Sequence, residues 1–127
     1  MGVFIILLLV IAGCSNANHN VDLGKSLQSI VEDKSNSEIN LSSWTSFDWE
    51  KAFLFSPYTS QEEMEKQLGA NFNDQSNLAW RDDIYLLVFK DKEKVIQYVE
   101  VEHQGVNLTI GENKYLTPSD DLIIMDK

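Results

Sequence analysis

The stretch Asp83–Glu102, DIYLLVFKDKEKVIQYVEVE, limits what this chain can fold into more than any other. Two runs rich in β-branched and aromatic residues, Ile84–Phe89 and Val95–Val101, flank the charged insert Lys90-Asp91-Lys92-Glu93-Lys94. Strand formers on either side of a polar turn are the signature of a β-hairpin. Closing the turn on Lys92-Glu93 sets Leu86 opposite Val99 and Ile84 opposite Val101. Tyr85, Leu87 and Phe89 then share the other face with Glu100, Tyr98 and Ile96. Both faces are apolar at the centre, so both require cover. A lone hairpin is marginally stable in water, which implies more strands and packed helices.

The cover is expected from segments on both sides. Leu23, Leu27, Ile30 and Val31 recur at helical spacing and predict a helix over Asp22–Lys34, capped by Asp22 and weakened in its first turn by Gly24. A second helix is expected at Gln61–Leu68. Ser60 and Glu63 form the S-x-x-E capping pattern, and Gly69 is placed for a left-handed C-cap. Trp44–Tyr58 holds two tryptophans, three phenylalanines and a tyrosine, read as core. Asp48–Phe55 is predicted as a strand with Trp49, Lys51, Phe53 and Phe55 on one face, ended by Pro57. Val106–Ile110 reads as a short strand, Lys114–Leu116 as a continuation of the sheet or a segment packed on it, and Leu122–Met125 as a final apolar run. The expected architecture is α+β: one small domain over 21–127, with a mainly antiparallel sheet of about four strands and two helices packed on it.

The compartment is written at the other end of the chain. Met1–Gly13 contains no charged residue and is too short to span a bilayer as a helix of about 20 residues, but it suits the apolar region of a signal peptide. The residues Ile11-Ala12-Gly13-Cys14 resemble the lipobox of bacterial lipoproteins. That resemblance implies cleavage after residue 13, a diacylglycerol on Cys14, and a lipid anchor at the extracytoplasmic face of the cell membrane. No Lys or Arg precedes the apolar run, a departure from the usual pattern. Residues 14–20 are expected to be the lipidated cysteine and a polar tether, with His19 a solvated linker residue. In composition the remainder resembles the small lipoproteins of low-GC Gram-positive bacteria. Ser56–Gly69 also shares Thr59 and Leu68-Gly69 with the small lipoprotein of the outer-membrane β-barrel assembly machine. A strand stands before this segment where that family has a helix, so its function is not carried over.

Charge and chemistry narrow the function classes. The chain carries 20 acidic and 10 basic residues for a net −10, which repels nucleic-acid phosphates and disfavours nucleic acid as a partner. One cysteine leaves no internal disulfide. Neither His19 nor His103 has a nucleophile beside it in sequence, no phosphate-binding or zinc spacing appears, and adjacent Asp82-Asp83 and Asp120-Asp121 point to opposite faces of a strand. Those doublets read as solvated edge charges, and His103 as a solvated strand-end residue. The loop Ala70–Asp82 carries Asn71, Asn73, Gln75 and Asn77, but Ser76 stands where a calcium loop needs its glycine. No metal, no cofactor and no catalysis is therefore expected. What remains is a non-catalytic binding or protein-interaction module of the cell envelope, touching the membrane through its lipid. A small-ligand carrier or an immunity or exclusion lipoprotein is the alternative. Tyr58, Trp80 and Arg81 are the candidate interaction residues, since Tyr, Trp and Arg most often anchor interfaces. The competing expectation is that Trp80 caps the core and Arg81 pairs with one of Glu62, Glu63 or Glu65.

The leader yields the first prediction. Cells fed a fatty-acid analogue should label the wild-type chain, and Cys14→Ser should abolish the label while leaving an unprocessed or released form. An exported chain carrying a free thiol at Cys14 would overturn the lipobox assignment.

Overall fold

The hairpin turn forms on Lys92-Glu93, which both adopt left-handed backbone (φ 55° and 86°), the geometry of a two-residue turn whose twist matches the strands. It joins β4 (Ile84–Asp91) to β5 (Lys94–Glu102), with Asp91 paired to Lys94 and Lys90 to Val95. The register then slips. Phe89 pairs with Gln97, leaving Ile96 as the extra residue of a β-bulge. From there Leu87 faces Val99, Tyr85 faces Val101 and Leu86 faces Glu100. This corrects the expected Leu86–Val99 and Ile84–Val101 pairs: the turn is where the sequence places it, but one bulged residue exchanges the faces of β5 beyond it.

In the computed structural model, residues 17–127 are described; the leader 1–13, Cys14 and residues 15–16 lie outside them. Before the hairpin come β1 (Asn18–His19), α1 (Val21–Glu32), β2 (Glu38–Asn40), β3 (Lys51–Phe55) and α2 (Gln61–Leu68), and after it β6 (Asn107–Thr109) and β7 (Leu122–Asp126). The strands form two sheets. One runs in the order β1-β5-β4-β3, antiparallel except for the parallel β1–β5 pair; the other is the antiparallel β2-β7-β6. The α+β class stands, with a second small sheet where a single sheet was expected. Lys114–Leu116 contributes a bridge, Leu116 to Ala52, at the edge of the larger sheet.

Both faces of β4 are covered, and Ile84–Lys90 are all buried. Tyr85, Leu87 and Phe89 pack with Val99 and Val101, the α1 stripe Leu23, Leu27, Ile30 and Val31, and Ile39, Leu108 and Ile123 of the smaller sheet. Ile84, Leu86 and Val88 pack on the opposite face with Tyr98, Phe53, Phe55, Met64, Leu68, Phe72 and Leu78. Trp49 departs from the expected face. β3 begins only at Lys51, so Trp49 lies outside the strand's alternation and meets Phe89 edge-on on the α1 side.

The helices show two kinds of control. α2 forms over the expected residues, with the Ser60 hydroxyl accepting from the Glu63 N–H and Gly69 closing it at φ 66°. α1 begins one residue earlier than expected and ends at Glu32, leaving Lys34 outside it. Its cap is Asn20, not Asp22. The Asn20 Oδ1 accepts from Leu23 N–H, its Nδ2 donates to Gln97 Oε1, and its N–H donates to the Tyr98 carbonyl. Asn18–Asn20 therefore belong to the fold, not to a tether, and the exposed His19 ring stacks on Tyr98 at 4.7 Å. Gly24 owes its place to α1's close approach to β5, since a Cβ there would stand 2.9 Å from the Glu100 carbonyl oxygen.

Gly24→Ala consequently separates helix propensity from packing. Propensity alone predicts a gain of up to ~1 kcal/mol. The backbone contact predicts a net loss of that order and a melting temperature lower by about 4 °C or more, measured by thermal unfolding. A higher melting temperature would show that α1 moves away from β5 at little cost.

Candidate functional site

The strand end of the hairpin far from its turn is bordered by two loops. One is Ser56–Ser60 between β3 and α2; the other runs from Gly69 to Asp83 between α2 and β4. The second is held by Asp74, whose Oδ1 accepts from the Ser76 N–H at 2.8 Å and from its hydroxyl, and whose Oδ2 accepts from the Leu78 N–H at 2.9 Å. Asn77 is left-handed (φ 59°) and starts a 3-10 turn over Leu78–Trp80. Asp74 is thus occupied by its own loop. Among the described residues no group of three His, Cys, Asp or Glu side chains converges as metal ligands do.

The backbone brings two of the three candidate residues together. The Tyr58 N–H donates to the Leu78 carbonyl at 3.0 Å, tying the first loop to the turn that carries Trp80. Tyr58 itself adopts φ 71°, a left-handed conformation that costs a non-glycine residue energy. Leu78 and Phe72 are buried beneath these loops, while Tyr58 is 63% and Trp80 85% exposed. Trp80 therefore does not cap the core. Of the aromatic cluster at 44–58, Trp49, Phe53 and Phe55 are buried as expected, whereas Trp44 and Tyr58 are exposed.

Arg81 is bound by its own domain. Its Nε and one terminal nitrogen donate to the two carboxylate oxygens of Asp83 at 2.9 and 2.8 Å, a bidentate pair, and the other reaches Glu100 at 3.3 Å and the Ser76 carbonyl at 3.4 Å. The expected partners Glu62, Glu63 and Glu65 are not used. Asp83 could have been found from the sequence: at i+2 on an extended segment it lies on the same side as Arg81. The Arg81 hydrogen bond holds the Asp83 carboxyl below the usual carboxylate range, and Asp83 raises the guanidinium in turn.

The remaining polar candidates are largely structural. Asp121 Oδ2 accepts from the Ser42 N–H at 2.6 Å, so it is not a free edge charge. His103 is also more enclosed than expected. Its Nε2 bonds the Asp82 carbonyl at 2.7 Å, its ring meets Tyr85 edge-on, and its Nδ1 is buried without a partner among the described residues. No helix among the described residues is long and apolar enough to cross a membrane.

Arg81→Ala should cost about 1 kcal/mol or less, because the pair with Asp83 is solvent-screened, and lower the melting temperature by a few degrees. The Asp83 pKa is lower folded than unfolded, so its contribution is present above the ordinary carboxylate value of about 3.9 and lost as pH falls through the folded value. The wild-type advantage over Arg81→Ala should be full at pH 7 and close below about pH 4. A gap of equal size at pH 7 and pH 2 would show that packing of the arginine stem, not the ion pair, carries the effect.

Compared with protein-family models, with curated proteins and with solved structures, the chain matches none.

Proposed function

We propose that this chain is a lipid-anchored, non-catalytic binding module at the extracytoplasmic face of the cell membrane, and that it takes a protein partner through Tyr58 and Trp80. The observation that carries the reading is Trp80: a tryptophan 85% exposed on a turn fixed by hydrogen bonds on both sides. An exposed aromatic presented by fixed backbone offers contact area with little further ordering cost, the property that makes Trp and Tyr frequent interface anchors.

The direction of the chain supports this use. β1 runs parallel to β5, with Asn18 level with Gln97, so the polypeptide reaches the fold from the side of the hairpin turn. Trp80 lies at the opposite end, where β4 starts. Phe89, level with Gln97, and Ile84 are five residues apart on β4, so the aromatic pair stands roughly 17 Å farther from the point of entry. With Cys14 acylated, that end faces outward. Asp82 and Glu102 are exposed there, and Arg81 is already committed to Asp83 and Glu100. The complementary partner is a protein with an apolar pocket rimmed by Lys or Arg. A lipoprotein that shields its own cell by capturing an envelope protein is one form of this role.

The test is crosslinking in cells, followed by titration of the captured protein against the purified chain. Tyr58→Ala and Trp80→Ala together should leave the melting temperature within about 2 °C, as surface changes do, and weaken binding at least tenfold. Trp80 emission should shift to shorter wavelength as the partner covers it. Equal capture by the double variant, or loss of capture only in step with unfolding, would overturn the assignment.

A further inference from the structure

At the other end of β3, we infer that a groove binds an anionic amphiphile, a molecule whose phosphate or carboxylate head is joined to an apolar portion. The groove encloses about 610 Å³ between the last turn of α2, β3 and the segment 110–115. Four lysines line it, Lys51, Lys66, Lys90 and Lys114, and no carboxylate does. In a chain with twice as many acidic as basic residues, a lining of four cations and no anion departs sharply from the rest of the surface. Its volume falls within the range that holds a small organic ligand.

Lys90 separates this groove from a chance gathering of surface lysines. It is 8% exposed, and its ammonium donates to the Leu68 carbonyl at 2.5 Å. Leu68 ends α2, so this bond places positive charge at the negative end of a helix dipole. An ammonium has three donors, and this contact uses one. Among the described residues the ion pairs all involve Arg81, so no carboxylate neutralises Lys90. Burying a cation is unfavourable unless polar partners replace the water it gives up, and one carbonyl leaves most of that shell unreplaced. An oxyanion entering the groove supplies them and neutralises the charge.

Lys66, on the last turn of α2, and Lys114, on the segment 110–115, are both exposed and line the groove. Lys51 spans 4.6 Å to the centre of the Tyr115 ring, leaving its charge beside the groove. The remaining walls are mostly apolar and aromatic, Phe53, Leu54, Leu68, Ile110 and Tyr115, with the amides of Gln67 and Asn113 among them. A bare inorganic anion would use the lysines and leave those walls wet. A head with an apolar segment uses both. The inference is independent of the Tyr58–Trp80 surface, which lies at the other end of β3 and β4.

Hexyl phosphate is a suitable probe, titrated into the isotope-labelled full chain in phosphatidylcholine nanodiscs and followed by amide chemical shifts. Saturable shifts are expected at Lys66, Leu68, Lys114 and Tyr115, with inorganic phosphate and hexanol each at least tenfold weaker. Lys66→Gln with Lys114→Gln, both exposed positions that leave the fold intact, should weaken binding at least tenfold. Lys90→Met should abolish it. The same shifts in nanodiscs containing phosphatidylglycerol, without hexyl phosphate, would identify a membrane lipid as the source of the head. Shifts with hexyl phosphate alone would identify a diffusible ligand. Absence of saturable shifts in the groove, or unchanged affinity in the double lysine variant, would overturn the inference.

Discussion

The fold depends on β4 being buried on both faces. From Ile84 to Lys90 every side chain is withdrawn from water, so two separate sets of partners must be found for alternate residues of one strand. Each fully buried aliphatic or aromatic side chain contributes ~1.5–3 kcal/mol, and those on β4 contribute only if both layers are present. α1 and the small sheet form one layer; α2 with the loop through Phe72 and Leu78 forms the other. The bulge at Ile96 assigns the layers. It puts Val99 and Val101 on the α1 side with Leu87 and Tyr85, and leaves Tyr98 to cover Val88 on the α2 side. Without it, β5 would present Tyr98 and Glu100 to α1.

What was legible in the sequence divides by the range of the interaction. α2 was readable to the residue because its limits are set within four residues of each end, by Ser60 and Gly69. The hairpin turn was equally local. The register was not, because a bulge is settled by which faces find cover, and the helices that supply it are distant in sequence. α1 shows the same division. Its apolar stripe is plain in the sequence and Asp22 is a good local cap, but Asn20 caps it while also bonding Gln97, a contact across 77 residues. Gly24 looked like a weakness and is a requirement of packing against β5. Of the candidate site, the identities of Tyr58, Trp80 and Arg81 were readable from residue type. Their division into two exposed aromatics and one internally paired cation was not.

The lysine groove was hidden for a different reason. Lys51, Lys66, Lys90 and Lys114 are spread over 64 residues, and each looks like an ordinary solubilising charge where it stands. Only the antiparallel pairing of Lys51 with Lys90 and the position of α2 alongside β3 gather them. The one local hint was Lys90 itself. It follows six residues of an apolar strand and precedes the turn by one residue, so the strand's burial extends onto a cation.

These placements give the molecule a polarity that its net charge conceals. The sheet end from which the polypeptide enters carries Lys90, Lys92 and Lys94 interleaved with Asp91 and Glu93, and Lys51 beside Glu50 on the neighbouring strand, so its charges come close to balance. The opposite end carries Asp82, Asp83, Glu100 and Glu102, with Arg81 bound among them and Trp80 exposed in the adjoining turn. A net of −10 therefore averages a nearly balanced end with a strongly acidic one. Near an anionic bilayer, charges within about a Debye length of 8 Å dominate the interaction, so the closer end decides it. If the anchor is Cys14, three residues separate it from β1, and the less acidic end is the closer one. The acidic end then stands beyond the reach of the membrane's field. With that anchor, repulsion of the acidic end and the short connection would both direct Tyr58 and Trp80 away from the bilayer.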